Sequence, residues 1–123
     1  TSTNQFYFTR RGLEQRPVSH SITNPIIYFA DLFETSIGDY YINGSLGIKQ
    51  NNIGLAGGTS NTNVIGADDK NANRFEGDLA EYIVLSSIDT DTRQKVEGYL
   101  AHKWGLTADL PVSHPYKLTA PTV

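Results

Sequence analysis

The sequence predicts an all-β fold, an antiparallel β-sandwich with one C-terminal α-helix and an extended Pro-rich tail. Three observations carry that expectation. Residues 1–87 are rich in Asn, Thr, Gly and aromatics, and short apolar runs alternate there with turn signals. Asn43-Gly44 sits between two such runs, and Asn-Gly is the strongest short hairpin signal because a type I′ turn needs positive φ at both central residues. Residues 89–105 then switch to a helical period, and residues 106–123 carry Pro111, Pro115 and Pro121, too many for a helix.

The strands follow in chain order. Residues 5–10 (QFYFTR) give the first, and residues 17–21 are a weaker candidate. Residues 25–33 (PIIYFADLF) give the next, and residues 39–42 (DYYI) and 45–49 (SLGIK) flank Asn43-Gly44. Residues 63–66 (NVIG) and 78–86 complete the set, with a Gly-rich loop over residues 50–62. About six short strands with frequent turns read as packed antiparallel sheets.

The helix is defined at both ends. Asp89 is placed as the N-cap, its carboxylate accepting from an orphan backbone N–H. Val96, Tyr99, Leu100 and Trp104 form one apolar stripe, expected to bury against a sheet. Asp91 and Lys95 form an i, i+4 ion pair, and His102 and Lys103 put positive charge in the last turn. Gly105 is placed as the C′ residue, with Leu106 closing a Schellman motif. Gly98 inside the helix costs about 1 kcal/mol relative to Ala, so a close approach to a sheet is expected there.

Composition bounds the function. The chain has 123 residues, one domain by length, and a domain of this size buries roughly two-thirds of its unfolded surface without help from metals or disulfides. It has no cysteine, which excludes a disulfide framework, a thiolate zinc site and a cysteine nucleophile. The net charge of −3 comes with no basic patch, so no nucleic-acid partner is expected. Apolar runs such as residues 82–85 are far too short for membrane insertion. The chain has no methionine, not even at position 1, and reads as a processed product or a fragment of a longer chain.

VIGADDKNANRFEGDLAEYIVLSS, then RQKVEGYLAHKWGL, then LP and HPYK, together resemble the C-terminal half of a laminin G-like, concanavalin A-like jelly-roll domain of bacterial surface and phage structural proteins. The matching stretch covers residues 64–117, and YINGSLG resembles the earlier hairpin of that family. Thr92 departs from the pattern, since relatives usually carry Glu there to complete a capping box. The resemblance implies a single laminin G-like domain over residues 1–123, with strands in 1–87, the helix in 89–105 and the tail in 106–123. It also implies a module of a virion or an extracellular cell surface, used for glycan binding, protein binding or particle architecture. It carries no catalytic residues. His114 belongs to its HPY string, expected to pin the tail to the body.

Glu76-Gly77-Asp78-Leu79-Ala80-Glu81 has the E-x-D-x-x-E spacing of jelly-roll glycoside hydrolases. On a regular strand Glu76 and Asp78 share a face and Glu81 points to the other, whereas a retaining pair must stand about 5–5.5 Å apart. Gly77 also stands where that class carries a bulky apolar residue, so the string is read as the lead-in to a strand and the chain as not an enzyme. Hydrolysis by Glu76 and Glu81 is the remote alternative.

Asp68, Asp69, Asn71 and Asn73 are the candidate metal ligands, with calcium the one candidate cofactor, because Asp69, Asn71 and Asn73 alternate like the first ligands of a calcium loop. Arg74 and Ala80 occupy the positions where that loop needs Gly and Glu, and Asx-rich turns are ordinary connectors. Tyr40 and Tyr41 are the candidate glycan contacts, since strand alternation turns one ring outward. The leading expectation is a non-catalytic structural or interaction module with a protein partner or self-association. A carbohydrate-binding module is the alternative.

Overall fold

The computed structural model of the chain describes residues 5–6, 18–19, 24–32, 37–51, 65–66, 75–86 and 89–122. These residues hold a three-stranded antiparallel sheet, a two-stranded pairing and one α-helix, and not the expected sandwich. The short pairing joins β1 (Gln5–Phe6) to β2 (Val18–Ser19). The sheet has the order β3 (Tyr28–Leu32), β4 (Ile37–Ile42), β5 (Ser45–Asn51). The run expected as the last long strand, residues 78–86, takes an irregular path outside any ladder. Its β-branched and aromatic residues suit a pleated, half-buried surface, but that preference acts only where a neighbouring strand pairs with it.

The hairpin between β4 and β5 forms as the Asn-Gly signal requires. Asn43 and Gly44 both take positive φ, 49° and 76°. Asn43 does a second job. Its Oδ1 accepts from the Ile27 N–H at 2.8 Å, and its own N–H donates to the Ile27 carbonyl at 2.8 Å. The tip of the hairpin is thereby tied to the approach to β3. Alternation then sorts the side chains. Tyr28, Ala30, Tyr40 and Ile42 pack on one face of the sheet with Ile26, while Phe29 and Tyr41 meet edge to face across the other.

The helix α1 spans Thr90–Trp104. Asp89 caps it, its Oδ1 accepting from the Thr92 N–H at 2.7 Å, and that bond holds the Asp89 carboxyl below its usual range. Gly105 closes it in the left-handed conformation, and the Leu106 N–H returns to the Ala101 carbonyl at 2.8 Å as a Schellman motif requires. Asp91 and Lys95 pair at 2.7 Å on the exposed side.

The buried face of α1 differs from the expected one. Arg93, Glu97, Gly98 and Ala101 are the buried residues, whereas Tyr99 and Trp104 are exposed. At 100° per residue the buried stripe lies roughly a quarter turn from the apolar one. The reason is that an ion pair, and not a row of apolar side chains, faces the body. Leu106 and Leu110, beyond the helix, complete a small core with Ala101 and Ile27.

The tail is not extended. After Gly105 it runs through a 3₁₀ turn at Thr107–Asp109 and further turns to residue 119. Lys117 organises them. Its ammonium donates to the carbonyls of Thr107 at 3.1 Å and Ala108 at 3.0 Å, and also to that of Leu110. Tyr116 and Pro121 pack over Gly98, where an added Cβ would lie 2.4 Å from the Tyr116 Cβ. The expected close approach at Gly98 therefore exists, but its partner is the tail and not a sheet.

Candidate functional site

Two polar clusters form around α1. In the first, Glu97 is fully buried and accepts from Arg93 Nη1 on both carboxylate oxygens, at 2.7 and 2.8 Å. His114 Nε2 lies 3.2 Å from Glu97 Oε2. The Tyr116 N–H donates to His114 Nδ1 at 3.2 Å, so Nδ1 is an acceptor and Nε2 carries the proton donated to Glu97. The Arg93 guanidinium also stacks on Tyr41, 3.8 Å from the ring centroid. Gly44 backs onto the His114 ring, where an added Cβ would lie 3.0 Å from its Cδ2. One sealed cluster thus joins helix, tail, hairpin tip and sheet, with His114 as the tail's contribution.

The second cluster is open to solvent. Glu81 accepts from the Trp104 indole N–H at 3.1 Å and the Tyr99 hydroxyl at 3.2 Å, and pairs with Lys103 at 2.9 Å. Lys103 also donates to the Tyr99 hydroxyl at 2.8 Å. Hydrogen bonds from Lys103, then from Trp104, hold the Glu81 carboxyl below its usual range. His102 Nε2 donates to the Tyr116 carbonyl at 2.9 Å, again tying helix to tail.

The candidate residues sort accordingly. Tyr40 is buried and stacks with Tyr28 at 6.2 Å, and burial pushes its phenol up. Tyr41 turns to the opposite face, as alternation requires, but Arg93 covers it. Glu76 and Asp78 are exposed on the irregular segment, and Glu81 is clamped to α1. Asp68, Asp69, Asn71 and Asn73 lie outside the described residues. Among the described residues no group of three or more His, Asp or Glu side chains could hold a metal ion, and no helix is long and apolar enough to cross a membrane. The sequence reading missed Arg93 and Glu97, although their i, i+4 spacing was visible, because such a pair ordinarily lies on a solvated face.

Trp104 is corrected most sharply. It was expected to be buried, and it is 46% exposed. We expect Trp104→Ala to shift the unfolding midpoint far less than the ~3–5 kcal/mol loss typical of a core aromatic. As the sole tryptophan, it should emit at solvent-exposed wavelengths in the folded protein and be quenched by acrylamide. Blue-shifted, unquenched emission would contradict its placement beside Lys103.

No family model, curated protein or solved structure matches this chain.

Proposed function

We propose that this chain is a non-catalytic structural or interaction module, of the kind that serves in a virion or at a cell surface, and that a protein surface is its partner. One observation supports the reading: the ionisable cluster is sealed inside, while the apolar side chains of residues 79–85 face outward. A set of exposed large apolar side chains on consecutive residues is an association surface. The glycan reading rested on Tyr40 and Tyr41; Tyr40 is buried, and Arg93 stacks on the half-buried Tyr41 ring. The hydrolytic reading needs Glu76 and Glu81 to converge on one bond, and Glu81 is instead tied to Tyr99, Lys103 and Trp104 of α1 while Glu76 stands exposed.

The test combines two measurements. The parent chain should release no reducing sugar from β-glucans, and Glu76→Gln and Glu81→Gln should change nothing in that assay. The folded parent should also bind an apolar dye through residues 79–85, and Tyr82→Ser with Val84→Ser should weaken that binding. Hydrolysis abolished by either Gln variant, or a folded parent that binds no dye, would overturn the proposal.

A further inference from the structure

His114 holds the N–H of Tyr116, two residues on, with its own side chain, the span over which Asp and Asn side chains close an Asx turn. An imidazole in that role differs from a carboxylate or an amide in one respect. It accepts through Nδ1 only while neutral, and histidine is the side chain that changes charge between about pH 5 and 8. The ring is fixed on its other sides. Its Nε2–H donates to Glu97 Oε2 at 3.2 Å. Its Cδ2 edge lies against Gly44, where even an added Cβ would approach to 3.0 Å. Its backbone is held too, the N–H by the Pro111 carbonyl at 2.9 Å and the carbonyl by the Lys117 N–H at 3.1 Å.

The groups facing the ring set the direction of the effect. From α1 come Glu97 and, on both of its oxygens, Arg93, which also stacks on Tyr41 of the sheet. From the tail comes Tyr116, its ring edge-on to the imidazole, and the hairpin tip brings the uncharged Gly44. With His114 neutral, one buried cation balances one buried anion. A proton on Nδ1 leaves a positive charge in excess, which burial disfavours, and sets one N–H against another at Tyr116. We infer that His114 is an acid-operated latch: proton uptake at Nδ1 unseats Tyr116 and the chain beyond it from α1, while the helix stays folded. Unseating opens the Nδ1 edge to water and frees the contacts of Tyr116 and Pro121 with Gly98. His102 does not share the property, because its Nε2 donates to the Tyr116 carbonyl with or without a second proton. The seated tail holds a neutral imidazole and the released tail a protonated one, so release is favoured as pH falls, by at most about tenfold per pH unit for one proton.

The test is nitrogen-15 NMR of the full chain from about pH 8 to about pH 5, reading the His114 imidazole nitrogens together with the amides of Tyr116 and of α1. The expected result is an Nε2–H tautomer at high pH. On acidification, protonation of His114 and loss of protection at the Tyr116 amide share one midpoint, while the amides of residues 97–101 stay protected. His114→Asn supplies a side-chain oxygen that accepts the Tyr116 N–H and takes no proton in this range, so its tail should stay seated throughout. His102→Gln should keep the transition of the parent. A His114 that takes its proton with the Tyr116 amide unmoved, a His114 that stays neutral across the range, or helix amides lost together with the tail overturns the inference. So does a folded His114→Asn variant whose tail leaves at the midpoint of the parent. If that variant does not fold, the coincidence or separation of the two midpoints in the parent decides.

Discussion

Glu97→Ala is expected to lower the unfolding free energy by about 3–5 kcal/mol, the range for removing one partner of a buried ion pair. Glu97 is fully enclosed and receives Arg93 on both oxygens and His114 on one. Its loss leaves the guanidinium stacked on Tyr41 without a counter-charge and the His114 N–H without an acceptor. The cost comes from those stranded groups more than from the lost attraction, because taking a charge out of water is repaid only by its partner. Glu97→Gln should fall between parent and Ala, since the amide oxygen still accepts while the charge is gone. Arg93→Met combined with Glu97→Leu should cost less than Glu97→Ala alone. Both charges then leave together, and the main residual loss is the unpaired His114 N–H, about 1–3 kcal/mol. Urea unfolding followed by the helical signal measures all of these. A Glu97→Ala variant within 1 kcal/mol of the parent would show that the cluster is open to water.

The cluster also marks where the sequence stops being legible. Signals that act over a few residues were readable: Asp89 at one helix end, Gly105 and Leu106 at the other, and Asn43-Gly44 in the hairpin. Each is set by the conformation of its own backbone. The buried face of α1 was not readable, because a charged i, i+4 pair and an apolar stripe compete for the same interior. Only the position of His114, seventeen residues beyond Glu97, decides between them. The tail was misread for a related reason. Its prolines exclude a helix but leave its turns open, and those depend on Lys117 reaching three carbonyls before it in the chain. Residues 78–86 carry strand composition, but a strand is a property of two segments and not of one. The tyrosine pair was half legible. Alternation separates Tyr40 from Tyr41, but nothing in their neighbourhood in the chain announces that Arg93 will cover the second ring.

Gly98 gives the second large effect, and its sign is the opposite of what helix propensity predicts. In an exposed helix interior, Gly→Ala stabilises by about 1 kcal/mol. Here the new Cβ would sit 2.4 Å from the Tyr116 Cβ and 2.9 Å from its Cγ, with the Pro121 Cδ at 3.3 Å. Neither backbone can yield without loss. Moving Tyr116 outward breaks the His102 bond to its carbonyl and the bond from its N–H to His114 Nδ1, and so loosens His114 from Glu97. We expect Gly98→Ala to destabilise by about 1–3 kcal/mol, the usual range for overpacking, and Gly98→Leu by more. The cause can be isolated. Tyr116→Gly removes the opposing Cβ at its own cost, and in that background Gly98→Ala should recover the ordinary sign and stabilise by up to about 1 kcal/mol. Urea midpoints of the four chains give the coupling directly. Limited proteolysis at Lys117 should accelerate in Gly98→Ala if the tail has lifted. A parent background in which Gly98→Ala stabilises would mean that Tyr116 does not seat on the helix, and the placement of His114 against Glu97 would fall with it.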